Sequence, residues 1–443
     1  MIRQLFCITV VLSLASLVSA DVRLPNLFSD HMVVQRDKAI KVWGWANPGE
    51  KVTVSLSGNK TQTTADAKGE WKAELPAMKA GGPYEMIVAG QNTVKITDVL
   101  VGEVWLCSGQ SNMEFGLKHV RDAQQEIKGA DYPQIRLLHV PRTPSALPLN
   151  DVKARWFVCS PTNTELGDFS AVGYFFGREI HKKLNVPVGM ITAAQGATQI
   201  EIWTPTAGKP ELYNGMIHPL IPFAIRGALW YQGESNCGDG MRYVDKMKAL
   251  VGGWRNVWQE GEFPFYFVQI TPNRYNGALP FLLEAQHVSM TIPNTGMAQS
   301  TDTCDPSDNY GGGHPRNKQE IGRRLALWAL AKDYGQKDLV YSGPICTGVR
   351  AEGSKLRVSF AHVGTGLVTK DGKDPDFFEV AGADGTFADA TAKIDGVTVV
   401  IGSDKVPQPI ALRFAWKDLA QPNLMNKEGL PVSTFRFDVL KVK

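Results

Sequence analysis

The segment Trp105-Leu-Cys-Ser-Gly-Gln-Ser-Asn-Met-Glu114 sets Ser111 in a turn, after an apolar run and before Met113, Leu117, Val120 and Ile127, which recur at helical spacing. A hydroxyl at such a junction meets backbone N–H groups and the positive end of a helix dipole, which stabilise a developing anion. A serine at a helix start is by itself most often a cap. Nucleophilic chemistry needs more: a base to take the hydroxyl proton, a group to orient that base, and donors aimed at the oxyanion of a tetrahedral intermediate.

Such partners gather at the carboxyl ends of strands in an open parallel sheet. One apolar run ends in Ala193-Ala-Gln-Gly-Ala-Thr198, where the Gly196 backbone can approach a ligand closely. Another, Leu229-Trp-Tyr-Gln-Gly-Glu-Ser-Asn236, carries Gln232, Glu234 and Asn236 just beyond the strand. A third leads through Ser300-Thr-Asp-Thr-Cys-Asp-Pro-Ser-Asp308 to Gly313-His314-Pro315. Of the 8 histidines, His314 is the one expected between a strand and a helix, downstream of clustered carboxylates, and it is the candidate base. Glu234 is expected to orient its loop, while Asn112 and Asn236 suit structural hydrogen bonding better than substrate contact. The run Asp302, Asp305 and Asp308 could attract a hard cation, but it lacks the alternating ligands of an EF-hand loop. A solvated acidic loop serving His314 is the better account, and no metal or cofactor is expected.

The elements that must position these residues follow from periodicity. From Val101 to residue 337, apolar runs of strand length alternate with amphipathic stretches of helical length, the pattern of a parallel sheet covered on both faces. Expected strands are 101–106, 135–140, 186–193, 225–231, 263–270 and 295–299; expected helices are 170–184, 242–258, 281–291 and 315–334, with Pro315 in the first turn of the last. Residues 21–100 are short β-like runs separated by turn signals such as Asn47-Pro-Gly49, and β character returns over 338–443. The fold class is therefore α/β, with a small β-sandwich-like domain on either side.

Residues 1–20 carry a basic residue, an apolar stretch from Leu5 to Val18, and small residues at Val18-Ser19-Ala20, the features of a signal peptide. The apolar stretch is shorter than the roughly 18 to 20 residues of a bilayer span. An exported protein without a membrane span, periplasmic or extracellular, is expected. A formal charge of +3 over 443 residues, with no basic run interleaved with aromatics, gives nucleic-acid binding nothing to rest on. Cys107, Cys159, Cys237, Cys304 and Cys346 lie beyond the signal and lack the paired spacing of a zinc site. Free thiols are expected, with a Cys237–Cys304 bridge the alternative, and Cys107 is expected to point into a packed sheet.

The chain resembles the SGNH hydrolase superfamily, specifically the sialate O-acetylesterase-like family of carbohydrate esterases. The resemblance rests on Leu24-Pro-Asn-Leu-Phe28 with Met32-Val-Val-Gln-Arg36, Val42-Trp-Gly-Trp-Ala46, Gly102 to Met113, Trp230 to Asn236, His314-Pro-Arg-Asn-Lys-Gln-Glu-Ile-Gly-Arg-Arg324, and Asn423 to Pro431. It implies a flavodoxin-like SGNH hydrolase domain flanked by β-domains, and metal-independent removal of O-acetyl groups from sugars through an acetyl-serine. It also implies Ser111 as nucleophile, His314 as base, and Gly196 and Gln232 as oxyanion-hole donors beside the Ser111 N–H. SGNH hydrolases commonly place an aspartate three residues before the histidine, whereas that position here is Gly311. Asp308 is the favoured orienter, with Asp305, Asp302 or a backbone carbonyl as alternatives. Sialic acid-type sugars are the expected substrates, acetyl xylan or another polysaccharide the alternative. The rival of a different class is a non-catalytic glycan-binding surface protein, since abundant tryptophan suits sugar stacking.

Overall fold

The computed structural model describes residues 21–304 and 313–438. The central sheet runs, from edge to edge, Thr295–Ala298, Phe265–Val268, Gly227–Tyr231, Thr93–Gly109, Val188–Ala194, Tyr132–His139 and Trp156–Cys159. Its neighbours are parallel except the last pair, where Trp156–Cys159 runs antiparallel. After Val188–Ala194 the chain crosses Thr93–Gly109 to add Gly227–Tyr231 on its other side, so the strand order reverses at the strand that leads to Ser111. Open α/β sheets bind ligands at such a point.

Thr93–Gly109 is the backbone of the whole arrangement. Its first half pairs antiparallel with Gly81–Ala89, and its second half pairs parallel with Val188–Ala194 and Gly227–Tyr231. Side-chain burial follows that change: exposed and buried residues mix up to Asp98, and every residue from Val99 to Gly109 is buried. That is the expected contrast between an antiparallel sheet with one wet face and a parallel sheet covered on both. The expected boundary at residues 100 and 101 thus falls inside one continuous strand, and a single apolar core includes Val52, Val54, Trp71, Trp105 and Trp230.

The helices differ from expectation in two places. Instead of one helix after Ser111, there is a single turn, Ser111–Glu114, then a 3-10 turn, Leu117–His119, and a short helix, Ala123–Lys128. Phe115 and Gly116 adopt extended backbone, Gly116 bridges to Ser170, and Asp122 is left-handed, so no helix can run through. Met113, Leu117 and Val120 are buried by these separate pieces and Ile127 partly so, and little helix dipole is available to Ser111. The last helix of the α/β region is Lys318–Lys332, with the Asn317 side chain accepting from the Glu320 N–H at 3.2 Å. Pro315 therefore precedes the cap and is not in the first turn.

Nine of the eleven tryptophans are buried, Trp45 and Trp416 being the partly exposed pair. Trp203, Trp230, Trp254 and Trp258 pack edge to face or tilted on one another, and the Trp254 indole donates to the Trp203 carbonyl at 2.9 Å. Tryptophan abundance is thus mainly a property of the core and leaves the glycan-stacking rival only Trp45 and Trp416. Residues beyond 344 form two four-stranded antiparallel sheets and a two-stranded pair around their own core, including Leu356, Val358, Leu412 and Phe414. Among the described residues no helix is long and apolar enough to cross a membrane.

Candidate active site

Gly109 ends its strand with φ +137°, and a Cβ there would stand 2.2 Å from the Tyr231 carbonyl oxygen on the neighbouring strand. Only glycine permits both the backbone turn and that close approach. The chain then reverses at Gln110, and the single helical turn begins at the half-buried Ser111. Across the site, half-buried His314 presents Nε2 to the Ser111 Oγ at 2.8 Å. In the tautomer with Nε2 unprotonated, the hydroxyl donates to the imidazole, as base-assisted attack requires. Burial, and then the nearby Lys318, push the His314 pKa below the ordinary histidine value. The imidazole therefore stays neutral, and able to accept a proton, to lower pH than a free histidine.

Gly196 lies against the nucleophile: a Cβ there would be 3.3 Å from the Ser111 Cβ and 3.2 Å from Glu114 Oε2. Its N–H points to that place but donates, at 2.6 Å, to Oε2 of Glu114. Glu114 stands three residues after Ser111 on the same helical turn, a spacing that sets both side chains on one side. Its presence here was readable from that spacing and was not anticipated. His139, at the carboxyl end of Tyr132–His139, is likewise unanticipated; burial lowers its pKa, with the negative charge of Glu114 opposing the shift.

Gln232 departs from the role expected of it. It is fully buried, and its Nε2 donates to the Thr198 carbonyl at 3.1 Å and to Asn236 Oδ1 at 2.8 Å, while its Oε1 accepts from Tyr243 at 2.7 Å. One amide hydrogen holds the loop after Val188–Ala194 and the other holds Asn236 on the turn after Gly227–Tyr231, so this side chain aims no donor at an oxyanion. Asn236 continues the same network. Its Oδ1 also accepts from the Ile200 N–H at 3.0 Å, and its Nδ2 donates to Glu201 at 3.1 Å and Asp239 at 2.8 Å.

A second buried network lies under the Ser111–His314 pair. Asn112 donates to Glu234 Oε1 at 2.6 Å and to the Gly313 carbonyl at 2.8 Å, and accepts from the Lys318 Nζ at 2.5 Å. Oε2 of Glu234 is sealed from solvent without a hydrogen-bond partner among the described residues, and burial raises the pKa of this carboxyl. Lys318, fully buried, has its pKa pushed down to about 7 by desolvation, against the opposing pull of Glu234.

Asp302 is an ion-pair residue and not part of a solvated loop: its two oxygens take the Arg324 guanidinium at 2.6 and 2.7 Å. Its hydrogen bonds go to Arg324, and none joins it to His314. Asp305, Asp308 and Gly311 lie outside the described residues. Among the described residues Cys107, Cys159, Cys237, Cys304 and Cys346 form no disulfide with one another, so Cys237 and Cys304 are not bridged. Cys107 is fully buried, and burial raises its pKa far from the range of a reactive thiolate. Among the described residues no group of three or more His, Cys, Asp or Glu side chains could hold a metal ion.

Comparison with known proteins accords with this geometry. The sequence model of a family described as carbohydrate esterase, sialic acid-specific acetylesterase, matches residues 101–331. A sialate O-acetylesterase of Pongo abelii is 31% identical over 462 residues, covering 89% of this chain and 87% of that protein. One of Homo sapiens is 32% identical over 421 residues, covering 81% and 80%. Among solved structures, a carbohydrate acetylesterase from Xanthomonas citri superposes with a TM-score of 0.89 at 37% identity, covering 94% of this chain and 99% of that one.

Proposed function

We propose, for a chain that belongs to the sialic acid-specific acetylesterase family of carbohydrate esterases, that it removes O-acetyl groups from sugars through an acetyl-serine formed on Ser111. The observation that carries the mechanism is the 2.8 Å contact between Ser111 Oγ and His314 Nε2. Ser111 attacks the acetyl carbonyl as His314 takes its proton, and His314 returns that proton to the departing sugar oxygen. Water, activated by the same imidazole, then attacks the acetyl-serine and releases acetate. The Ser111 and Gly196 N–H groups are the proposed oxyanion donors, the oxyanion replacing the Glu114 carboxylate at Gly196. The SGNH-type arrangement of the sheet, export directed by residues 1–20, and Asp308 as the orienter of His314 belong to the same proposal. So do sialic acid-type sugars as substrates, which the names of the curated relatives favour.

Ser111→Ala and His314→Ala are each expected to lower turnover of a simple acetyl ester by about a millionfold while the fold persists. Asp308→Asn is expected to cost up to about ten-thousandfold, as a wrong imidazole tautomer does in serine triads. Rapid quenching followed by peptide mass spectrometry should find an acetyl group on the Ser111 peptide. Near-normal activity of folded Ser111→Ala would overturn the mechanism. A mild effect of Asp308→Asn would leave a Ser111–His314 dyad.

A further inference from the structure

We propose that Lys318 is a positioning residue for hydrolysis, clamping the Asn112 amide so that Asn112 holds the peptide before His314 and keeps the imidazole set against Ser111. The inference rests on the serine-histidine mechanism above. An amide adjoining Ser111 in the chain bonds, through its Nδ2, to the carbonyl of Gly313, which adjoins His314. The nucleophile and base segments, 203 residues apart in sequence, are thus tied by one side chain in addition to their own 2.8 Å contact.

An Asn amide can rotate by half a turn and exchange its oxygen and nitrogen, so the tie needs something to fix its sense. As the ammonium, Lys318 has donors only, and it meets Oδ1 at 2.5 Å; Glu234 Oε1 accepts from Nδ2 at 2.6 Å. Flipping the amide would set its NH2 against the lysine and its oxygen against a carboxyl oxygen and the Gly313 carbonyl. Gly313 is confined from the other side as well, since a Cβ there would be 2.7 Å from Asn273 Nδ2.

The lysine is expensive to keep where it is. Its amine lies over the rings of Phe115 at 4.8 Å and Tyr231 at 5.1 Å, which offset part of the desolvation cost of a buried ammonium. The groups that bear on it electrostatically are Glu234, on the 3-10 turn after Gly227–Tyr231, and Cys304, in the loop after Thr295–Ala298. Ser111 Oγ is in hydrogen-bond contact with His314, and Lys318 is the charged group that shifts its titration among the described residues. Protonated below about pH 7, Lys318 disfavours a second positive charge on His314. The positioning lysine therefore also extends the pH range over which the base is neutral.

The test is Lys318→Met, which keeps the stem of the side chain and removes its donors and charge. With a simple acetyl ester, kcat is expected to fall by about a hundredfold, the scale of a small misplacement of reacting groups, with KM changed less than threefold. The acid limb of kcat/KM is expected to move to higher pH by at least about half a unit, because the charge that opposed imidazolium formation is gone. Asn112→Leu serves if Lys318→Met does not fold: it should show the same kcat loss. If both variants fold, the double variant should lose little more than either single one, since the two act through one contact. A kcat within threefold of wild type, a loss confined to KM, or an acid limb that stays in place in Lys318→Met would overturn the proposal. So would an undiminished kcat in Asn112→Leu, or fully additive losses in the double variant. If Ser111→Ala retains activity, the mechanism itself fails, and the two failures are separable.

Discussion

At Glu114 the fold sets a carboxylate on the Gly196 N–H, the group proposed above as an oxyanion donor. In the free protein this satisfies the Gly196 donor and holds the small-residue turn against Ser111. In the reaction the same carboxylate must leave, and wherever it moves on its short helical turn its negative charge stays near the developing oxyanion. Both effects oppose catalysis on a neutral substrate. Glu114→Gln is therefore expected to raise kcat/KM for a neutral acetyl ester, by a few-fold to about tenfold at low salt, with the gain shrinking as ionic strength rises. Steady-state kinetics of the variant at two salt concentrations checks this. A fall in activity would show that the carboxylate instead binds the sugar, with His139 the nearby group to examine next.

Among the elements, the helix Lys318–Lys332 does more than cover the sheet. Its first turn delivers Lys318 under the site, and its second delivers Arg324, 2% exposed, which takes Asp302 from the loop after Thr295–Ala298 and also donates to the Gln299 carbonyl at 2.7 Å. Without Asp302, Arg324 keeps its pair with Glu320 at 2.8 Å, so Asp302→Asn should destabilise the fold measurably but by less than the roughly 3–5 kcal/mol of a fully unpaired buried charge. Activity per folded molecule should change little, and urea unfolding alongside kinetics separates the two readouts. A severe kinetic loss with unchanged stability would return Asp302 to the catalytic machinery. The same helix shows where legibility in the sequence stops. Apart from the early start of Thr93–Gly109, periodicity located the six parallel strands and the four longer helices to within a few residues, because burial on both faces leaves a local apolar record in each run. Ser111, His314 and Gly196 were legible because strand ends converge in this kind of sheet. Gln232 and Asp302 lay at the right ends, but their partners, Thr198, Asn236 and Arg324, come from elsewhere in the chain, and no local pattern says which way a side chain's donors turn. Lys318 was invisible for a different reason: a lysine in a helix is by default solvated, and only the tertiary arrangement buries this one.

The whole molecule is organised by a strand shared between two sheets, and Glu103 is its electrostatic knot. Fully buried on Thr93–Gly109, Glu103 receives Arg226 from the start of the next strand at 2.8 Å, Arg36 from the N-terminal region, and the amide of Gln35 at 3.2 Å. The Gln35-Arg36 pair thus serves to bind the N-terminal β region to the catalytic sheet. On the far side, Asp418 of the C-terminal region accepts from the N–H groups of Tyr275 at 2.7 Å, Gly277 at 2.9 Å and Leu279 at 3.2 Å, bracing the segment whose Asn273 confines Gly313. The Ser111–His314 pair is therefore held between flanking β regions, each attached through a carboxylate. For Glu103, burial alone would raise the carboxyl pKa, but Arg226 and then Arg36 more than offset it, and the pKa lies below the ordinary value of 4.5. A depressed folded pKa means that the stabilisation is complete above the unfolded value and is lost as pH falls through the folded one. Glu103→Gln should thus cost stability at pH 7, toward the lower end of about 3–5 kcal/mol because both guanidiniums keep some solvent contact. The gap to wild type should narrow steadily below about pH 4.5 as wild-type Glu103 itself takes up a proton. Urea unfolding of both proteins across that range provides the check, and a gap that stays constant on acidification would show that the carboxylate's shape, not its charge, holds the two sheets together.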